Sequence, residues 1–508
     1  MAKDAEPENP RMPSQPSRFA DERLQATLPS WAGSQWKKVC LLPRKAMTRA
    51  ALPYWSIALA LLAGAALRLF FILVYPEFDG DSGVYGTIAK NLLINHAYAL
   101  DKPYHLTLIR LPGYPFFLAL IFKVFGMGNM EVAYDPARPI QMVIDLASCL
   151  LIAGFVRDHV SQRAAHWALW LAVLCPFTAN YTADPMTETI SIFCVALGLF
   201  AAGRLIRGIR AQGRLPWGYL ALTAAALSCA ILFRPDGVLL PAAIVPGIWW
   251  YTRRTAPRAS WRAALLCALL AALPFVPWTI RNYRVFHVFQ PLAPRFCNDP
   301  GESTLPGYVQ WTKTWLVDYV SSGDVYWKGD TDPIDIHLLP SRAFDSAEEY
   351  RQTGQLIADY NDVCSISPDL DARFAALARQ RIRSHPFRYY VGLPLARVAD
   401  MWLRPRTELM SDALPTRWWE WRQHPGGSLI AFSYGLLDAA LLALAVTGFL
   451  RRRVPFAAML GAYLVFRCLL LATMENAEPR YTLEGFPIVL IAAALAIAPR
   501  RKASSEQL

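Results

Sequence analysis

Long apolar runs alternate with short polar, arginine-rich connections along most of the 508-residue chain. A soluble protein does not repeat apolar runs of membrane-spanning length, whereas a multi-pass membrane protein needs about 20 apolar residues for each crossing. The runs predict ten spans, at residues 54–75, 139–156, 165–180, 188–206, 217–233, 238–252, 263–280, 428–450, 455–473 and 484–498. The number rises to about thirteen if shorter apolar runs also cross. The predicted fold class is therefore an all-α polytopic membrane protein.

Three further stretches have a helical period but are too short or too polar to cross. Residues 85–95 place apolar side chains on one narrow face, residues 114–125 form a short apolar run, and residues 387–403 are interrupted by proline and charges. We interpret all three as helices at the membrane interface, two of them in the first outer loop. Another helix is expected to begin at Ser367, whose hydroxyl can cap its first turn.

Basic residues predict the orientation of the chain. Lysines and arginines precede the first span and recur in alternate connections, at residues 157–163, 204–214, 253–262, 451–453 and 500–502. Basic connections stay in the cytoplasm, so both termini are expected there. The net charge of +12 is explained by basic residues beside the spans, where they meet anionic lipid headgroups. No nucleic-acid partner is therefore expected.

The pattern divides the chain into five parts. They are a disordered cytoplasmic tail (1–50), an N-terminal transmembrane module (51–280), an outer segment (281–427), C-terminal transmembrane helices (428–498) and a cytoplasmic tail (499–508). The first outer loop of the module covers residues 76–138. The first tail holds too little apolar surface to fold alone, and no apolar signal-peptide core follows Met1. The proline- and aromatic-rich outer segment is expected to have mixed, short local structure.

Charged residues collect where spans meet the outer side. Asp79 and Asp81 follow the first span; a boundary acid is ordinarily a solvated loop charge, but it can also accept a proton from a hydroxyl group. Arg110 precedes a rigid Pro-Gly-Tyr-Pro turn, where it either extends towards water or meets a phosphate group. The other outer boundary charges are Glu188, Arg234, Asp236, Arg281, Glu475, Glu478 and Arg480.

Asp145, Asp438 and Arg467 are charged residues that fall inside predicted spans. Such residues cost free energy unless they are paired or face a cavity. We interpret them as members of structural ion pairs, and the alternative is a proton relay of a transporter. Cys297 and Cys364 share the outer segment, where a disulfide between them is left open. No CxxC spacing occurs, so a cysteine-based metal site is not expected.

Several of these residues form an ordered set of motifs. The motifs are Asp81-x-x-x-Tyr85-x-x-x-Ala89, Arg110-x-Pro-Gly-Tyr-Pro, Met186-Thr187-Glu188-Thr189, Arg234-Pro235, Pro277-Trp278-Thr279-Ile280-Arg281-Asn282 and Glu478-x-Arg480-Tyr481. The set resembles membrane glycosyltransferases of the GT-C superfamily, and most of all bacterial relatives of dolichyl-phosphate-mannose protein mannosyltransferases and of the lipid A aminoarabinose transferase. The resemblance covers about residues 54–290 and 430–498.

The resemblance implies a GT-C type helical bundle and a set of site residues. Asp81 takes the position of the catalytic aspartate, with Asp79 beside it, and Arg110 that of the residue that contacts the lipid phosphate. The other implied substrate-binding residues are Tyr85, Glu188, Arg234, Arg281, Arg480 and Tyr481. Ile109 stands where the aminoarabinose transferases carry an acid that serves a metal, so no metal ligand is assigned and a divalent cation stays open. Ser82 replaces the glutamate that follows the catalytic aspartate in protein mannosyltransferases.

The implied function is transfer of a sugar from a polyprenyl-phosphate donor to the hydroxyl group of a lipid, glycan or protein. The reaction would invert the sugar configuration, with Asp81 as general base. It would occur on the periplasmic side of a bacterial inner membrane, among membrane lipids. The alternative is a transporter or flippase of a lipid-linked sugar, which would depend on Asp145, Asp438 or Arg467 instead. We expect Asp81, Arg110, Arg281 and Arg480 to meet in one outer cavity.

Overall fold

The computed structural model describes residues 54–78, 80–101, 104–127, 134–410, 414–451 and 454–498, and these residues are mostly helical. In chain order the α-helices are α1 (Tyr54–Val74), α2 (Gly80–Ile94), α3 (Gly113–Phe125), α4 (Ala137–His159), α5 (Gln162–Val173), α6 (Pro176–Ala179), α7 (Glu188–Gln212), α8 (Trp217–Phe233), α9 (Leu239–Thr252), α10 (Pro257–Ala272), α11 (Phe275–Phe286), α12 (Pro306–Lys313), α13 (Tyr319–Asp324), α14 (Ala347–Asn361), α15 (Pro368–Ser384), α16 (Leu393–Leu403), α17 (Pro425–Arg451), α18 (Ala457–Thr473) and α19 (Phe486–Ile497). The 3₁₀ helices are Asn180–Thr182, Pro235–Val238, Tyr326–Lys328, Ile336–Leu338, Ser341–Ala343, Glu408–Met410 and Pro479–Gly485, and a π-helical turn covers Arg388–Gly392.

Six helical stretches of the described residues are long and apolar enough to cross a membrane. They are α1, α4, α7, α17, the stretch Pro257–Phe286 that combines α10 and α11, and the stretch Pro479–Ile497 that ends in α19. Three shorter apolar helices are α3, α8 and α18. The fold is that of an all-α polytopic membrane protein, which confirms the predicted class.

Prolines interrupt two of the predicted runs. The run 165–180 is divided, because α5 ends at Val173 and α6 begins at Pro176. The run 263–280 is divided at Pro274, between α10 and α11. Proline lacks the N–H that continues a helix and restricts the residue before it, so both breaks follow from the chain itself.

The core of the bundle is formed by helices from both ends of the chain. α7 packs against α4 and α8, and α19 packs against α17 and α5. Every residue from Phe486 to Leu495 of α19 is buried, whereas α1 exposes large apolar side chains such as Leu62 and Leu73. An exposed apolar face of this kind suits contact with lipid chains.

The first outer loop carries a two-stranded hairpin between its helices. Strand β1 (Ala99–Asp101) pairs with antiparallel β2 (Tyr104–Leu106), with Ala99 opposite Leu106. The side-chain amide of Asn91 on α2 donates to the Ala99 carbonyl at 3.0 Å, which attaches the hairpin to α2. The three stretches predicted as interfacial helices are helical, in α2, in α3 and in the π-helical turn with α16.

The outer segment has its own small core, in which Trp311, Trp315 and Phe374 are completely buried. The predicted helix start at Ser367 is confirmed, because its hydroxyl accepts the Leu370 N–H at 3.3 Å. The segment's described residues, 281–410 and 414–427, form helices and turns without a strand. Its two cysteines, Cys297 and Cys364, are free thiols, so the disulfide left open by the sequence is not formed in the structure.

Candidate active site

Asp81 lies in the first turn of α2, where the positive end of the helix dipole favours a carboxylate. The next residue anchors this turn. The Ser82 hydroxyl contacts Asp184 Oδ1 at 3.0 Å and the Pro185 carbonyl at 3.2 Å, and the Tyr134 hydroxyl donates to the Ser82 carbonyl at 2.6 Å. The position of Asp81 is therefore set by contacts with the loop before α7.

Two arginines bind the carboxylate of Asp81 from different parts of the chain. Arg110 Nη2 donates to Oδ1 at 2.6 Å, and Arg480 Nη2 donates to Oδ2 at 3.1 Å. Burial alone would raise the pKa of Asp81, but the two guanidinium groups lower it below the ordinary aspartate value. Asp81 is therefore an ionised carboxylate with both oxygens occupied, and 31% of its side chain is exposed.

Aromatic rings support Arg110. Its guanidinium carbon lies 5.6 Å from the centre of the Tyr85 ring, and Tyr85 meets Tyr114 edge to face with ring centres 5.1 Å apart. Burial raises the pKa of Tyr85 to about 12, although the positive charge of Arg110 opposes the rise, so the phenol is neutral at physiological pH. A neutral phenol can donate a hydrogen bond and offer an aromatic face to a sugar.

Arg480 lies in the link between α18 and α19, where neighbouring side chains hold it. Its guanidinium forms an ion pair with Glu478, and the Tyr481 hydroxyl donates to the same carboxylate at 2.7 Å. The side-chain amide of Asn476 also donates to Glu478, at 2.5 Å. Burial raises the pKa of Glu478, against the lowering effect of Arg480.

Behind this pair, two more arginines share three carboxylates. Arg234 contacts Glu188 at 2.5 Å, Asp236 at 3.1 Å and Glu484 at 3.2 Å. Arg467 contacts Asp236 at 2.6 Å and Glu484 at 3.1 Å. The sequence predictions omitted Glu484. Its position at the start of an apolar span was the feature that could have identified it. The network joins α7, α8, α18 and the link before α19.

Asp81, its two arginines and part of the network behind them line one cavity of about 380 Å³. Seven of the nine predicted site residues border it, namely Asp81, Tyr85, Arg110, Glu188, Arg234, Arg480 and Tyr481. Another part of its wall is apolar and includes Phe233, Leu239, Leu292, Leu470 and Leu471. A cavity with charged groups on one side and an apolar wall suits a ligand with a polar head and an apolar tail.

The other two predicted site residues are Arg281 and Asp79. Arg281 does not line this cavity, which corrects the expected meeting of four residues: it donates to the carbonyls of Thr107 at 2.7 Å and Tyr98 at 3.1 Å. Its guanidinium also lies 5.2 Å from the Trp278 ring, so it connects α11 to the first outer loop. Asp79 lies outside the described residues.

The sequence left open whether a divalent cation binds. The surroundings of Asp81 are unfavourable for one. Two guanidinium groups already bind that carboxylate, and their positive charge disfavours a cation there. Within the described ranges, the one group of side chains with metal-ligand spacing is His105, Asp299 and Glu302, whose ligand atoms lie within 4.8 Å of one another. None of these three residues borders the cavity.

Asp145, Asp438 and Arg467, which the sequence places inside spans, each have an ion-pair partner. Asp145 Oδ2 contacts Arg68 Nη2 at 2.5 Å, Asp438 lies 3.5 Å from Arg406, and Arg467 belongs to the network behind the cavity. The contacts agree with the interpretation of these residues as structural ion pairs.

Part of the chain matches a known protein family. Residues 101–280 match the model of a family described as dolichyl-phosphate-mannose-protein mannosyltransferase. The match confirms the sequence resemblance over that part of the chain, which contains Arg110, Glu188 and Arg234. No curated protein sequence matches the chain at a significant level.

Solved structures with a similar arrangement share little sequence with the chain. The archaeal oligosaccharyltransferase AglB from Archaeoglobus fulgidus, in complex with an inhibitory peptide and a dolichol-phosphate, is 13% identical with a TM-score of 0.48, over 87% of this chain and 50% of that one. ArnT from Cupriavidus metallidurans, bound to undecaprenyl phosphate, is 15% identical with a TM-score of 0.38, over 87% of this chain and 76% of that one. The chain thus spans about half the length of the archaeal enzyme.

Proposed function

We propose that the protein is a membrane glycosyltransferase that moves a sugar from a polyprenyl-phosphate donor to an acceptor hydroxyl group. The observation that carries the proposal is Asp81, held between Arg110 and Arg480 in a cavity with an apolar wall. The family matched by residues 101–280 is named for a lipid-phosphate sugar donor, which supports the same class of reaction. The acceptor is a lipid, a glycan or a protein.

The donor would rearrange the ion pairs around Asp81. Its phosphate group competes for Arg110 and Arg480, because arginine forms charge-assisted hydrogen bonds with phosphate as well as with carboxylate. Asp81 then loses two cations, so its pKa rises and it becomes a better base. The prenyl chain would lie along the apolar wall near Leu239 and Leu470.

Transfer would be a single displacement. The acceptor oxygen forms a bond to the anomeric carbon of the sugar while the bond from that carbon to the phosphate oxygen breaks. The proton of the acceptor hydroxyl moves to Asp81, and the polyprenyl phosphate leaves with the bonding electron pair. Arg110 and Arg480 stabilise the charge that develops on the leaving phosphate. One displacement inverts the configuration of the sugar.

The test is Asp81→Asn, which keeps the shape of the side chain but cannot accept the proton. Transfer of sugar from a polyprenyl-phosphate donor to acceptor should fall by about 10²-fold or more, because the general base is lost. Asp135→Asn is the matched control, since Asp135 lies in the same outer loop and 64% of its side chain is exposed. Equal transfer by Asp81→Asn and Asp135→Asn, with both variants folded in the membrane, would reject the assignment.

The cellular setting is part of the same proposal: a bacterial inner membrane, both termini in the cytoplasm and the cavity on the periplasmic side. The basic connections support this orientation. A transporter or flippase would need charged groups free to exchange protons within the bundle. The pairing of Asp145 with Arg68 and of Asp438 with Arg406 favours the enzyme over that alternative.

A further inference from the structure

A second group of cations surrounds Glu475, in the link after α18. Arg295 Nη2 contacts Glu475 Oε1 at 2.6 Å, and Lys313 Nζ contacts the same oxygen at 3.1 Å. Both side chains also donate to the Thr473 carbonyl, at 2.6 Å and 2.7 Å. One carboxylate therefore holds two cations from different parts of the outer segment.

A third cation, Arg397 on α16, is completely buried beside this group. Its closest polar contact is a long one, from Nη1 to the Lys313 carbonyl at 3.5 Å, and its Nε and Nη2 have no hydrogen-bond partner among the residues that the structure describes. Asp400, one turn further along α16, lies 4.0 Å from Arg404 instead. A buried guanidinium with no carboxylate at ion-pair distance among the described residues is costly, and an anion bound beside it would offset that cost.

The balance of charge differs between the two arginine groups. Around Asp81 four arginines meet five carboxyl groups, namely Asp81, Glu188, Asp236, Glu478 and Glu484. Around Glu475 three cations meet one carboxylate among the described residues. Burial lowers the pKa of Lys313, with Arg295 and Arg397 acting in the same direction against Glu475. The second group is therefore the one with unbalanced positive charge.

The second group opens onto the cavity. Arg295, Thr473 and Met474 line it, and 49% of the Arg295 side chain is exposed. A ligand in the cavity can thus reach Arg295 directly. Lys313 shares the Glu475 oxygen with Arg295 and 21% of its side chain is exposed, while the buried Arg397 acts through its charge. Interactions at this depth are weakly screened by water, so the buried charge acts over several ångströms.

We propose that Arg295, Lys313 and Arg397 form a second anion-binding site, distinct from the arginines beside Asp81, that takes a phosphate group. Three converging cations suit the several oxygens of phosphate. Such a group has two sources here, the lipid phosphate of a polyprenyl donor or a phosphate carried by the acceptor. Binding at this site does not require sugar transfer, so the inference goes beyond the proposed function and can be tested without it.

The experiment measures binding of inorganic phosphate to the full-length protein in dodecyl maltoside by isothermal titration calorimetry. All proteins carry Arg110→Gln, so that binding beside Asp81 contributes little. Arg295→Gln and Lys313→Gln should each weaken phosphate binding about tenfold or more, which corresponds to the loss of one charge-assisted hydrogen bond. Arg379→Gln, at an exposed position of α15, is the matched control and should bind like its parent.

Glu475→Gln gives a result that a merely structural role would not produce. Glu475 competes with the incoming anion for Arg295 and Lys313, so its neutralisation should tighten phosphate binding several-fold. Unchanged affinity in Arg295→Gln and Lys313→Gln overturns the proposal, and so does weaker binding in Glu475→Gln. Arg397→Gln is expected to disturb folding most, because the Arg397 side chain is buried. The test therefore uses Arg295→Gln, Lys313→Gln and Glu475→Gln.

Undecaprenyl phosphate, added to the same micelles, distinguishes the two sources. If Lys313→Gln weakens binding of both undecaprenyl phosphate and inorganic phosphate, the site takes the donor's lipid phosphate. If Lys313→Gln weakens inorganic phosphate alone, the site takes a phosphate of the acceptor. Loss of transfer in Asp81→Asn has no bearing on either result, so failure of the proposed function and failure of this site give different results.

Discussion

Both oxygens of the Asp81 carboxylate are bound by guanidinium groups that a phosphate-bearing donor would also need. A carboxylate held in this way is a weak base, because the two cations stabilise its charged form. Donor binding and activation of the base would then be one event. The arrangement disfavours proton uptake by Asp81 until the leaving group is in place.

Arg110→Gln tests the role of this arginine in donor binding. The affinity for polyprenyl phosphate should fall about 10- to 100-fold, the range expected for one or two charge-assisted hydrogen bonds. The measurement is a titration of the purified protein with undecaprenyl phosphate. Arg281→Gln is the comparison, since Arg281 lies outside the cavity and should affect thermal stability rather than affinity. An equal loss of affinity in the two variants would contradict the separate positions of these arginines.

The pH dependence of transfer follows from the lowered pKa of Asp81. A base with a lowered pKa stays ionised at pH values where an ordinary aspartate, with a pKa of about 3.9, is already taking up protons. The value of kcat/KM for the donor reports the free enzyme, so it should stay level on acidification until the pH is below that range. Arg110→Gln removes one cation, which raises the pKa of Asp81 and shifts the acid limb to higher pH. A wild-type acid limb near neutral pH would be inconsistent with Asp81 as the base.

Among the helices, α19 is surrounded on all sides over most of its length, because every residue from Phe486 to Leu495 is buried. Its neighbour α17 approaches it at Gly448, where a Cβ atom would lie 1.9 Å from the Ala492 carbonyl oxygen. Two helix backbones can come this close only where one residue has no side chain. The link before α19 carries Arg480 and Glu484, so this contact also helps to position the cavity.

Gly448→Ala should therefore destabilise the protein by about 1–3 kcal/mol, because a backbone carbonyl has little room to move. The measurement is thermal unfolding in detergent. Gly461→Ala is the matched control on α18, where nothing lies within 4 Å of the added Cβ atom. That variant should be neutral or slightly stabilised, since alanine favours the helix. Equal melting temperatures for the two variants would show that the close approach of α17 and α19 is not tight.

At the scale of the whole molecule, buried ion pairs join helices that are distant in sequence. Arg68 on α1 contacts Asp145 on α4 and also donates to the Val173 carbonyl at the end of α5, at 2.7 Å. The guanidinium thus connects three helices away from the cavity. Such a pair specifies which helices are neighbours more than it stabilises them, because both charges lose their water.

Removing only Arg68 from the Arg68–Asp145 pair should destabilise the protein more than removing both residues. Arg68→Leu leaves Asp145 buried and unpaired, and should cost about 3–5 kcal/mol of stability. Arg68→Leu combined with Asp145→Leu should recover much of that loss, as measured by thermal unfolding. Sugar transfer by the double variant should stay close to wild type. Loss of transfer in a folded double variant would instead favour a functional role of Asp145, as the transporter alternative requires.

The sequence alone determined the class of fold and most of the candidate site. Apolar runs specify helices because each crossing segment must satisfy its backbone hydrogen bonds internally, so hydropathy predicted nearly every long helix. The motifs around Asp81, Arg110, Glu188, Arg234 and Arg480 identified residues that the structure brings to one cavity. These features are local in the chain, and local patterns are visible in a single sequence.

Only the tertiary structure decided the pairing of charges. Arg281 and Arg480 are both arginines at the outer end of a predicted span. In the structure Arg281 binds backbone carbonyls, whereas Arg480 binds Asp81. Glu484 pairs with Arg234, which is far away in the sequence, and the role of Arg397 depends on its burial without an ion-pair partner among the described residues. Whether a charge is balanced is a property of three-dimensional neighbours, because electrostatic energy depends on distance and surrounding dielectric rather than on position along the chain.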